Sequence, residues 1–63
     1  MGIYRVYFMD RDDHILRGRD FEAADDAAAT ARADQFCAEM AECVAVEIWQ
    51  GARRLGRHQR NAG

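Results

Sequence analysis

Apolar and polar residues alternate from the start of the chain. Across residues 3–9, Tyr4, Val6 and Phe8 share one face of an extended segment, and Arg5, Tyr7 and Met9 share the other. The second set contains a charge, so the first is expected to face a core. Residues 10–14 are short, polar and acidic, which suits a turn. A second strand is expected from His14 to Arg19, with Ile15 inward and a bend or bulge at Gly18. Phe21 and Ala23 then restore an inward face.

The period changes at residue 25. Ala29, Ala33, Phe36, Cys37 and Met40 recur at helical spacing, which predicts an amphipathic helix from Asp25 to about Cys43. Asp25 or Asp26 can cap its first turn and favour the positive end of its dipole. An isolated helix of this length is marginal in water, so its stripe must lie on a sheet. Ala33, Phe36 and Met40 are expected to meet Val6, Phe8, Val46 and Ile48. Residues 44–50 alternate again: Val44, Val46 and Ile48 form one face, and Ala45, Glu47 and Trp49 form the other. Gly51-Ala52 can turn the chain into a short edge strand over residues 53–57, with Leu55 inward and arginines discouraging aggregation.

The pattern predicts a single small α+β domain of two layers, ββαβ(β). A right-handed crossover through the helix sets the third strand parallel to the second and antiparallel to the first. The simplest strand order is 2-1-3-4, with the helix on one face. Residues 1–57 form the domain, and residues 58–63 are expected to be a flexible basic tail. The other sheet face then carries Arg5, Tyr7, Met9, Glu47 and Trp49 with nothing over it.

The blocks Tyr4-Arg5-Val6-Tyr7-Phe8, Ala24-Asp25-Asp26-Ala27 and residues 45–54, AVEIWQGARR, resemble a group of short uncharacterised bacterial proteins. The resemblance covers most of the chain. It implies one compact domain and transfers no functional residues.

Composition narrows the chemistry. The chain has 63 residues, so it can hold one thin core. Cys37 and Cys43 would lie roughly 9 Å apart along a continuous helix, too far for a disulfide unless the helix ends between them. Free thiols in a reducing cytoplasm are therefore expected. No leader-like or membrane-spanning run is evident.

An acidic turn with Asp10 and Asp12 lacks the glycine and glutamate a calcium loop needs, since Ile15 and Phe21 stand at those positions. Cys37, Cys43, His14 and His58 have no zinc spacing, and nothing local would activate a thiol nucleophile. No metal or other cofactor and no enzymatic activity is expected.

All nine basic residues are arginines, and the net charge is −2. Residues 1–50 carry −6 and residues 51–63 carry +4. Two roles fit. The first is protein contact, most simply a homodimer, through Arg5, Tyr7, Met9, Glu47 and Trp49, with another protein partner also compatible. Arg5 of one copy could then reach Glu47 of its mate. The second is single-stranded nucleic-acid binding, with sheet aromatics stacking bases and Arg53, Arg54 and Arg57 on phosphates, helped by Arg5, Arg17 and Arg60. The net negative charge and Glu47 weigh against it.

Overall fold

A computed structural model describes residues 2–60. Its elements run β1 (Gly2–Met9), β2 (Ile15–Ala23), α1 (Asp26–Ala38), β3 (Ala45–Gln50) and β4 (Arg53–Gln59). All three strand pairings are antiparallel and the order is β2-β1-β3-β4, with α1 packed on one face. The expected α+β architecture and strand order are therefore those of the protein.

The core is the helix-side face. Tyr4, Val6 and Phe8 of β1, Val46 and Ile48 of β3, and Phe21 and Ala23 of β2 are buried against Ala29, Ala33 and Cys37 of α1. Phe36 is only half-buried, at the rim, with edge-to-face contacts to Phe8 and Phe21. Asp25 is the cap: its carboxylate accepts from the Ala28 amide at 2.8 Å.

Several local expectations are corrected. The helix stops at Ala38 rather than near Cys43, and Glu39 begins a turn whose amides return to Phe36 and Cys37 carbonyls. That early end brings the Cα atoms of Cys37 and Cys43 to 5.5 Å, and the two form a disulfide instead of free thiols. Ile15 is 58% exposed, and Leu16 packs on the core in its place, because the ladder shifts register between Phe8 and Met9. Val44 precedes β3 and is exposed, while Ala45 is fully buried.

The irregularity expected at Gly18 lies two residues earlier, at Leu16, the extra β2 residue between the partners of Phe8 and Met9. Gly18 itself leaves room for the Tyr7 ring, which lies over it: a Cβ would come to 3.2 Å of the ring and oblige it to shift. A second irregularity falls between Ile48 and Trp49, next to Gly56, whose φ of +151° favours glycine. β4 continues through His58 and Gln59, so these residues belong to the sheet and not to a tail. The Arg60 guanidinium donates to the carbonyls of Ala38, Met40 and Cys43. The rest of the expected tail, residues 61–63, lies outside the described residues.

Candidate functional site

Strand alternation places Arg5, Tyr7 and Met9 on the sheet face away from α1, and the β1–β3 register sets them beside Trp49, Glu47 and Ala45. One row across the sheet reads Asp20, Arg5, Trp49, Arg54; the next reads Gly18, Tyr7, Glu47, Arg57. The five expected contact residues are thus brought together on one uncovered face.

They do not make an apolar patch. Arg5 donates Nε and Nη2 to the Asp20 carboxylate at 2.6 and 3.1 Å. That pair holds the Asp20 carboxyl below its usual range and raises Arg5. The Trp49 indole donates to Glu47 Oε1 at 2.9 Å, and Arg54 stands 3.6 Å from Glu47 Oε2. Trp49 and Tyr7 are half-buried, whereas Met9 is only 9% exposed and so offers a partner little. Arg5 and Glu47 each have an intramolecular partner, so the expected pairing of one with the other across a dimer is not needed to satisfy either. At the end of the face near the β3–β4 turn, Arg5, Tyr7, Asp20, Trp49 and Gly51 line a shallow depression of about 280 Å3. Ile3, 60% exposed, forms its lip.

The arginines expected to meet phosphate are engaged elsewhere. Arg53 clasps Asp26 with two hydrogen bonds of 3.0 Å, Arg54 faces Glu47, and Arg57 bonds to Asp13 on the β1–β2 turn. Asp26 also accepts from the buried Tyr4 hydroxyl at 2.9 Å. The Arg53 and Tyr4 hydrogen bonds lower the Asp26 carboxyl, while burial and that same bond push the Tyr4 phenol up. Sequence reasoning missed these partners because each lies at least seven residues away along the chain and most lie far more distant.

The turn does gather Asp10, Asp12 and His14, with possible ligand atoms within 4.8 Å of one another. Asp10 Oδ1 is occupied by the amides of Asp12 and His14, both at 2.9 Å, and the His14 amide bond is the main cause of a lowered Asp10 pKa. The cluster reads as a self-bonded turn. Both cysteine sulfurs are bonded to each other, which removes them as ligands or nucleophiles. Among the described residues no helix is long and apolar enough to cross a membrane. The chain matches no family model, no curated protein and no solved structure.

Proposed function

We propose that the protein is a small non-enzymatic interaction module that pairs with a second copy through the outer sheet face. The observation that carries this reading is the four-stranded face without a covering layer, where half-buried Trp49 and Tyr7 adjoin the exposed Ile3 around one depression. Trp, Tyr and Arg are the residue types that dominate protein contacts. The face carries both signs of charge, in Arg5 with Asp20 and in Arg54 with Glu47, so a two-fold axis can set each sign against its opposite.

The two longer dimensions of the molecule are 30 and 22 Å. A face of that size reaches only the low end of specific interfaces, about 1,200 Å2 in total, which favours a weak, reversible dimer. Light scattering across a concentration series tests it. A mass that rises toward twice the monomer, with Trp49→Ala weakening association by about 2 kcal/mol, is the expected result. A monomer at every accessible concentration overturns it.

The expected cytoplasmic placement rests in part on reduced thiols. A closed Cys37–Cys43 bond favours an oxidising compartment instead. Thiol labelling of protein taken directly from cells separates the two.

A further inference from the structure

We infer that the groove between the free edge of β2 and α1 binds an extended acidic segment of a partner protein, held by Arg17, Arg19 and Arg32. Four arginines elsewhere, Arg5, Arg53, Arg54 and Arg57, each have a carboxylate partner, and Arg60 is bound to carbonyl oxygens. Arg11, Arg17, Arg19 and Arg32 have no carboxylate partner among the described residues; Arg11 stands apart in the β1–β2 turn, and the other three lie together. The unneutralised positive charge is therefore concentrated not at the arginine-rich C-terminal end but on the opposite edge of the sheet.

The three are gathered by register and packing. Arg17 and Arg19 lie opposite Phe8 and Val6, which puts both on the helix side of β2, two residues apart. The Arg19 guanidinium sits 4.3 Å from the centroid of the Phe36 ring, and that of Arg32 sits 5.2 Å from the same centroid. One ring thus draws two like charges to one place, at an electrostatic cost that an anion would relieve. Arg17, Arg19, Phe36 and Met40 line a depression of about 200 Å3, in which Glu39 is the one carboxylate.

The occupant follows from charge and from the edge. β2 is an outer strand of nine residues, and its unpaired backbone groups can accept another strand. Side chains of an added strand alternate as those of β2 do, so acidic residues at every second position meet Arg17 and Arg19 together. A second copy pairing β2 with β2 about Gly18 is disfavoured, since it would set Arg17 and Arg19 against their own counterparts. Two guanidinium groups already lie over the Phe36 ring and would compete with a stacking base, which disfavours a nucleic acid. The groove lies on the opposite side of the sheet from Trp49, so it stands whether or not the chain dimerises.

The test titrates the oxidised protein with a short synthetic peptide alternating Glu and Thr, with the same peptide carrying Lys for Glu, and with short oligothymidylate. Binding of the Glu peptide alone, with amide NMR shifts confined to β2 and the adjacent turn of α1, is expected. The double change Arg17→Gln with Arg19→Gln should weaken it about tenfold. Because Arg19 packs on Phe36, the reversal Arg17→Glu is a second variant that spares the ring, and it should transfer preference toward the Lys peptide. Absence of any shift at millimolar Glu peptide, shifts centred on Tyr7 and Trp49, unchanged affinity in both variants, or tighter binding of oligothymidylate would each overturn the assignment.

Discussion

Asp26 is an exposed side chain that holds three elements of the fold together. It stands in the first turn of α1, accepts from Tyr4 of β1 and is clasped by Arg53 of β4, so one carboxylate ties three elements. Its pKa, like those of Asp10 and Asp20, is lowered by folding from an ordinary value of 3.8. Such groups stabilise the fold fully above that value and lose the contribution as pH falls through the lowered values. Thermal melts should therefore show a midpoint that is flat near neutrality and drops below about pH 4. Asp26→Asn should lower the midpoint at neutral pH and soften the acid drop, and an unchanged acid limb would show that Asp26 contributes nothing to it. Core rank is also decided residue by residue. Phe8 is 2% exposed and Phe36 only half-buried, so Phe8→Ala should cost about 3–5 kcal/mol and end cooperative unfolding. Phe36→Ala should leave a folded protein with a lower midpoint. If the two melt alike, the rim ring carries more of the core than its exposure implies.

At the scale of elements, the end of α1 is the feature that local propensity does not explain. Met40, Ala41 and Glu42 are good helix formers, yet the chain leaves the helix after Ala38. The departure lets Cys43 fold back onto Cys37 and delivers Val44 to β1, where its amide donates to the Met9 carbonyl at 2.9 Å. The last turn of α1 has no basic residue of its own. Arg60, from beyond β4, supplies the cation there and satisfies three carbonyls near the negative end of the dipole. Disulfide, turn and Arg60 thus form one clasp. The bond closes a short loop, for which chain entropy gives about 2 kcal/mol. In a domain this small, reduction or paired Cys37→Ala and Cys43→Ala changes should lower the midpoint by roughly 10 °C. Equal melting with and without reductant would show that the bond constrains nothing.

At the scale of the molecule, a helix on one face of a four-stranded sheet leaves the other face to be managed by side chains alone. Here it is managed by alternating charge and aromatic cover, with Tyr7 over Gly18 and Trp49 tethered to Glu47. If that face also joins two copies, dissociation and unfolding are linked. The melting midpoint of the parent should then rise with protein concentration, and that of Trp49→Ala should not. Equal behaviour of the two would place Trp49 outside any self-contact.

Patterning by itself determined which elements form, the inward face of β1 with Val46 and Ile48 of β3, and the strand order, but not the end of α1 or the inward residues at the starts of β2 and β3. Period-two runs at residues 3–9 and 44–50 and a period near 3.6 after residue 25 leave few ways to bury Val6, Phe8, Val46 and Ile48 together. The five outer-face residues were legible for the same reason, since alternation assigns a face whether or not partners are known. Tertiary structure alone decided the partners. Arg53, Arg54 and Arg57 read as a basic cluster along the chain, but folding delivers Asp26, Glu47 and Asp13 to them and gathers Arg17, Arg19 and Arg32, which have no carboxylate partner among the described residues, on another edge. It also decided the disulfide, because a helix stripe continues in sequence past the point where the backbone must turn to reach the sheet. Periodicity reports which way a side chain faces; which distant group it meets depends on how the strands and helix are stacked in three dimensions.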